Sequence, residues 1–261
     1  MGEERAVGGG RGKPNETPHF KVYHHDPAKP HGLSDRLVLT LYQDRNQQLW
    51  VGTSKGLNLR DTQSDPDDLS RFHVFRHRSG DPTSLSNDAI VTLTRDSVDR
   101  LWIGTDGGLN LLHSPGGKVS PATARFTHYR VKDGLPNDVI YGILEDDAGF
   151  LWLSTNRGLS RFDPSNETFK NFDSSDGLQH DEFNTGAYCK GPDGKMYFGG
   201  INGFNAFFPD QIVEDRQAPQ VVFTNFLLFN KSVPFGRPAP QAKSNFVLES
   251  PLNSTKLLTL S

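Results

Sequence analysis

The chain has 261 residues, of which 34% are apolar, with 26 glycines, 17 prolines and a net charge of −3. That length can bury a real core in one large or two modest domains, and so much glycine and proline suits short strands joined by tight turns better than long helices. There is no basic field for nucleic acid or anionic lipid, no apolar run near the ~20 residues that span a bilayer, and with Cys189 as the lone cysteine no internal disulfide and no cysteine-based metal cluster.

In chain order, residues 1–18 lack the apolar segment of a secretory signal and read as a disordered tail. From residue 19 the sequence aligns with itself. QLWVGTSKGLNL (48–59) returns as RLWIGTDGGLNLL (100–112), FLWLSTNRGLSRF (150–162) and, in altered form, KMYFGGINGFNAFF (195–208). Trp50, Trp102, Trp152 and Tyr197 lie 52, 50 and 45 residues apart, and Asp44, Asp96 and Asp146 each stand six residues before their tryptophan. Leu33, Leu85 and Leu135 precede the tryptophans by 17, whereas Leu178 precedes Tyr197 by 19. Each unit opens on an aromatic pair: Phe20 and Tyr23, Phe72 and Phe75, Phe126 and Tyr129, Phe169 and Phe172.

Each unit therefore holds four short apolar runs, in the second FHVFR, AIVTLTRD, RLWIG and GLNLL, which predict a four-stranded antiparallel meander. In LWIGT, alternation sends Leu101 and Ile103 to one face and Trp102 and Gly104 to the other, so both faces are apolar and both need cover. Stacked sheets supply that cover. A period of ~40 to 50 residues with four strands per unit points to propeller blades at about 19–70, 71–124, 125–167 and 168–213. The repeated Trp50, Gly52, Gly56, Trp102, Gly104, Gly108, Trp152, Gly158, Tyr197 and Gly203 are then structural, with Gly56, Gly108 and Gly158 as turn residues. In an up-and-down blade the loops GLSDR, SLSND, GLPND and GLQHD share a face with TSKG, TDGG, TNRG and GING. That face gathers Asp35, Arg36, Ser54, Lys55, Asn87, Asp88, Asp106, Asn137, Asp138, Asn156, Arg157, Asp181 and Asn202, a polar crown suited to a polar ligand.

The order aromatic pair, DGLPND, apolar run and D-x-x-G-x-LW-x-GT-x-x-GL resembles the two-component regulator propeller repeat of bacterial sensors, most closely over residues 126–163. APQVVFTNFLLFNKSV (218–233) resembles the opening strands of the three-Y domain, an immunoglobulin-like sandwich that follows such propellers. The resemblance implies an all-β chain: a partial β-propeller of four four-stranded blades, then an incomplete sandwich over 218–261. It further implies the periplasmic or extracytoplasmic sensing part of a histidine kinase or related regulator, an oligosaccharide or other small polar ligand, and further blades or another protomer against an open N-terminal blade face. No cofactor is expected.

Other chemistry finds less support. His24 and His25 are adjacent, so in a strand they face opposite ways, and His73 and His77 lack carboxylates at ligand spacing. DTQSDPDD (61–68) lacks the glycine and terminal glutamate of a calcium loop and reads as a solvated turn. Cys189 has no catalytic motif around it and reads as a buried structural thiol. Paired carboxylates for glycoside cleavage remain open, because Asp88, Asp138 and Asp181 could converge on the crown. A ligand-sensing, non-enzymatic module is therefore the leading expectation, with a propeller-fold carbohydrate hydrolase or lyase, an interaction scaffold, or a gene fragment as alternatives.

Overall fold

The computed structural model describes residues 20–45, 47–61, 70–113 and 119–212, and by backbone alone 227–228 and 231–232. The tail expected over 1–18 and most of the carboxylate-rich turn at 61–68 lie outside the described residues. The chain divides into two units, Met1–Ile212 and Val213–Ser261. Of the second, the description covers one short antiparallel pair, β16 (Leu227–Leu228) with β17 (Lys231–Ser232), so the expected three-Y sandwich otherwise lies outside the described residues.

The first unit is a row of antiparallel sheets. Strands β1 (Val38–Gln43), β2 (Leu49–Thr53), β3 (Gly56–Arg60) and β4 (Phe72–Phe75) form the first in sequence order. The second holds β5 (Ile90–Arg95), β6 (Leu101–Thr105), β7 (Gly108–His113) and β8 (Arg125–Tyr129), and the third β9 (Ile140–Glu145), β10 (Leu151–Thr155), β11 (Gly158–Asp163) and β12 (Thr168–Phe172). The fourth contains β13 (Phe183–Lys190), β14 (Met196–Gly200) and β15 (Gly203–Phe207). Among the described residues this sheet has three strands.

The phase of the blades differs from the sequence reading. Sequence groups the aromatic-pair run with the three runs after it, yet β4 hydrogen-bonds to β3, with Leu57 opposite Phe75, and so closes the sheet before it. The sheets span 38–75, 90–129, 140–172 and 183–207 and straddle the boundaries expected near 70, 124 and 167. The reason is connectivity. β3 and β4 are adjacent antiparallel strands of one meander, whereas the link from β4 to β5 drives Leu85 into the core and starts the next sheet. Residues 20–25 repeat this placement without a strand. His25 Nδ1 lies 2.6 Å from the Leu33 carbonyl oxygen, as His77 Nδ1 lies 2.7 Å from that of Leu85.

Between sheets the packing obeys one rule. Trp50, Leu57 and Phe75 of the first sheet enclose Ile90, Leu93, Leu101 and Ile103 of the second; Trp102, Leu109 and Tyr129 of the second enclose Ile140, Ile143, Leu151 and Leu153 of the third; Trp152 and Leu159 of the third meet Phe183, Met196 and Phe198 of the fourth. The three tryptophans are at most 1% exposed. Each indole Nε1 donates to the aspartate six residues earlier, to Asp44 at 3.3 Å, Asp96 at 2.8 Å and Asp146 at 2.9 Å, while the other oxygen of that carboxylate accepts the backbone N–H of Gln48, Arg100 or Phe150. One side chain thus closes the lower turn and fixes the ring.

Inner strands β1, β5, β9 and β13 follow one another, and no comparable interface joins β13 back to β1. The repeat measures what is uncovered. Leu41 of β1 is 65% exposed, while its counterparts Leu93 and Ile143 are 6% and 1% exposed. At the other end Phe204 is 67% exposed where Leu57, Leu109 and Leu159 are at most 1%. The thiol of Cys189 is exposed for the same reason, correcting the buried reading: it stands opposite Tyr197, as Leu144 stands opposite Trp152, on the face that no described sheet covers.

Two pairs of substitutions separate these roles. Trp102→Ala should cost about 3–5 kcal/mol, and Trp102→Phe about 1–3 kcal/mol, because Asp96 then loses its indole donor. Leu93→Ala should cost about 2–5 kcal/mol and Leu41→Ala no more than about 0.5 kcal/mol. Urea denaturation of the four variants checks both pairs.

Candidate functional site

The links into the inner strands and the β2–β3, β6–β7, β10–β11 and β14–β15 loops interlock on one side, forming the crown: Ser54 N–H donates to Leu37, Asp106 N–H to Ala89, Gly158 N–H to Asp181 and Ile201 N–H to Glu182, all to carbonyl oxygens. Thr53, Thr105 and Thr155 brace the short loops, each donating from Oγ1 to the glycine carbonyl three residues on. That glycine has φ of 139° at Gly56, 124° at Gly108 and 87° at Gly158. An added Cβ would press on the outer-strand carbonyl of Phe75, Tyr129 or Phe172, so two constraints converge on glycine.

Most polar side chains of the crown hold it together. Asp88, Asp138 and Asp181 occupy one repeat position and accept the backbone N–H of His77 at 2.6 Å, Val131 at 2.7 Å and Ser174 at 2.7 Å. Each clamps the outer end of its loop, a structural task that accounts for all three without a reacting centre. Asn87 and Asn137 close Asx turns on Ala89 and Val139. Asp35 pairs with Lys55 at 3.1 Å and accepts the Leu37 amide, and these contacts, Lys55 first, hold its carboxyl down at about 2. Asn202 is held by Gln179 from both its N–H groups. Arg36 and Arg157 are exposed. Sequence reading missed buried Asn58 and Asn110, which accept the Ser34 and Ser86 amides at 2.8 Å and donate to two carbonyls each, tying the third strand to the incoming loop.

The departures from the repeat meet at one place. In β1, β5 and β9 the pairing carries a one-residue irregularity near the top, which frees Leu39, Val91 and Tyr141 from the ladder. Tyr141 donates its hydroxyl to Asn156 Oδ1 at 2.8 Å. Burial first, and then the negative charges of Glu182 and Asp106, pushes that phenol above its ordinary pKa despite the Asn156 contact. In β13 the irregularity is wider: Phe183 pairs with Gly200 and the next pair is Tyr188 with Phe198, leaving residues 184–187 outside the ladder with Gly186 at φ 74°. The two extra residues between Leu178 and Tyr197 are the sequence signal for this bulge. Below it the Tyr188 ring fills the space that glycine leaves at Gly142 and sets its hydroxyl 2.7 Å from Thr92 Oγ1, reaching from the fourth sheet past the third to the second. Asp106 of the second sheet, Tyr141 and Asn156 of the third and Glu182 of the link into the fourth thus give the crown a polar stretch, its mouth, next to the contact of Tyr188 with Gly142 and Thr92. Of these, sequence reading names Asp106 and Asn156.

Among the described residues no three His, Cys, Asp or Glu side chains converge as metal ligands. His73 lies 3.9 Å from Asp61, a single carboxylate. A cavity of about 270 Å³ on the opposite side, lined by Asp146, Asp147, Asp193 and Asp210, uses the first three in the Trp152 contact, an ion pair with Lys190 and a turn at Lys195. Among the described residues no helix is long and apolar enough to cross a membrane.

Residues 32–55, 84–107 and 134–157 match the family model described as two component regulator propeller. The chain is 29% identical over 236 residues to Histidine kinase P4 of Formosa agariphila, covering 85% of this chain and 15% of that relative. It is similar to the extracellular domain of a putative hybrid two component system of B. thetaiotaomicron, with a TM-score of 0.64 and 28% identity over 85% of this chain and 27% of that one. A second such domain from B. thetaiotaomicron shares the fold, with a TM-score of 0.59 and 20% identity over 76% of this chain and 26% of its own. The chain therefore spans a small part of these relatives' lengths.

Tyr188→Phe should cost about 0.5–1.5 kcal/mol, the net worth of one hydrogen bond. Gly142→Val should cost more, about 1–3 kcal/mol, because its side chain collides with the Tyr188 ring. Thermal unfolding followed by near-ultraviolet circular dichroism tests the order.

Proposed function

We propose that this chain, whose repeats are those of the two-component regulator propeller, is a ligand-sensing module of a bacterial two-component receptor, and that it binds a small polar ligand, an oligosaccharide, on the crowned face outside the cytoplasm. The observation that carries the site is the mouth itself. Tyr141, Asn156, Asp106 and Glu182 come from three successive sheets and are not consumed in loop closure as Asp88, Asp138 and Asp181 are. Hydroxyl, amide and carboxylate groups at the end of a rigid stack are the means by which a protein reads a polyol.

The mechanism is binding without chemistry. A ligand bridging residues of the second, third and fourth sheets couples their relative positions, which Tyr188 and Thr92 already link, and so favours one arrangement of the stack. In this reading the uncovered face at Val38 and Leu41 receives a further sheet of the same repeat, from additional blades or another protomer, and a kinase output responds to the displacement.

Isothermal titration of the chain with a panel of neutral and charged oligosaccharides tests the reading. Heat of binding is expected from at least one member, without turnover, and affinity should fall about tenfold in Tyr141→Phe or Asn156→Ala while the melting temperature stays within a few degrees. No heat from any member would sink it.

A further inference from the structure

We infer that this chain assembles head to tail with a second copy of itself. Residues 20–25 of one copy add as the outer strand to the open edge of β15 in the other, and the Val38–Leu41 face of the first covers the β13–β15 sheet of the second. This rests on the reading of the Val38–Leu41 face as the seat of a further sheet and names the source of that sheet, independently of what the crown binds.

The two ends of the described stack are unequal in a complementary way. β3, β7 and β11 each pair with an outer strand, β4, β8 or β12, whereas among the described residues β15 pairs with β14 alone. Residues 20–25 carry the aromatic pair of those outer strands, with Phe20 and Tyr23 standing where β4 has Phe72 and Phe75, yet they belong to no strand. The link that follows them is placed as the others are. Phe72 N–H donates to the His31 carbonyl at 2.7 Å as Phe126 N–H does to that of Thr83 at 2.9 Å, so the run stands where the outer strand of a preceding sheet belongs. It is not packed as one. Phe20 is 89% exposed against at most 6% at Phe72 and Phe126, and a cavity of about 300 Å³ is lined jointly by Val22, Tyr23, Leu33 and Phe72. Continuing the register of Leu57 with Phe75, Leu109 with Tyr129 and Leu159 with Phe172 sets Tyr23 opposite Phe204 and Phe20 opposite Phe207. An extended run added to a free sheet edge satisfies the backbone groups of both.

The sheet faces match as well. A Cβ at Gly52 or Gly104 would lie 2.7 or 2.9 Å from Ile90 or Ile140, the first inner-strand residue of the sheet that follows, so glycine is the hole into which that side chain fits. Gly199 holds this position in β14, and among the described residues nothing beyond its own sheet lies within 4 Å of such a Cβ. The matching knob is Val38, which is 39% exposed where Ile90 and Ile140 are buried. Phe204 and Leu41, exposed at opposite ends, stand where Leu57 and Leu93 share one core cluster. Phe20 would meet Phe172 of the receiving copy, as Phe126 meets Phe75 at 6.1 Å and Phe169 meets Tyr129 at 6.2 Å. A second copy thus extends an interface that the chain already builds three times within itself. One additional sheet against Val38 would leave β15 open, and within a single copy the two faces do not meet, since Leu41 and Phe204 both stay exposed. Because the two patches differ, the contact closes into a ring if its rotation allows and otherwise propagates.

Sedimentation velocity of the full chain over about a hundredfold range of concentration tests the assembly. Mass should rise with concentration, to a discrete closed species or a growing series. Leu41→Glu, Phe204→Glu and Phe20→Asp, all at exposed positions and so with little effect on the melting temperature of the dilute chain, should each weaken association at least about tenfold. Leu41→Glu and Phe204→Glu mixed in equal amounts should recover a 1:1 dimer and nothing larger, because the Phe204 face of the first variant and the Leu41 face of the second are intact. Cys189, the lone thiol and on the face to be covered, should react more slowly with a disulfide reagent in the concentrated wild-type chain than in Leu41→Glu. A wild-type chain that stays monomeric throughout, association indifferent to any one of the three substitutions, or a mixture that stays monomeric overturns head-to-tail assembly. Each of these leaves the sensing reading to its own oligosaccharide titration.

Discussion

The buried indole of the repeated LW motif is the constraint on which the rest depends. A sheet with two apolar faces needs cover on both, and at each of the three interfaces between the described sheets the cover is the neighbouring sheet, entered by Trp50, Trp102 or Trp152. Burying an indole also buries its N–H, which needs an acceptor. The aspartate six residues earlier supplies one and spends its second oxygen on the lower turn, so ring orientation, turn geometry and sheet spacing are set by one carboxylate. Further clasps add neighbour-specific chemistry at the same end. Arg95 reaches back to Asp44, Glu145 to Ser97 and Lys190 to Asp147, each from the end of an inner strand to the turn of the sheet before it.

This economy explains why abundant polar residues on the crown do not make an abundance of binding groups. A propeller turns its chain back at every loop, and each reversal leaves backbone N–H groups that must be satisfied. The repeated acids and amides perform that service. In the proposed reading, recognition falls to positions where the repeat is broken. Tyr141 stands where the first two sheets have Leu39 and Val91, Gly142 where they have Thr40 and Thr92, and residues 184–187 swell an inner strand. Since Gly142 makes room for Tyr188, two departures in different sheets are one packing solution.

Much of the architecture was legible in the chain. Period, strand count, the alternation of Leu101 and Ile103 against Trp102, the turn glycines and the shared loop face all follow from local spacing, because side-chain direction in a strand and left-handed φ at a turn are local properties. The blade phase was not legible, because the aromatic-pair run has equal claims on the runs before and after it, and only the hydrogen bonds of β4 to β3 assign it. The exposure of Cys189 was equally hidden, since it reflects what stands opposite rather than what is adjacent in sequence.

The site divides in the same way. Residue order was enough to establish a stack of tryptophan-wedged meanders and to put Asp106 and Asn156 on one rim, since a repeat reports its own geometry through its periodicity. Which rim groups are spent and which are free emerged only from the folded chain: whether Asp138 meets a ligand or the Val131 amide depends on a partner brought near by the turn of the loop, and the contact of Tyr141 with Asn156 depends on the pairing of two strands. Hydrogen-bond commitment is a property of pairs in space, and a list of residue types in order does not contain it.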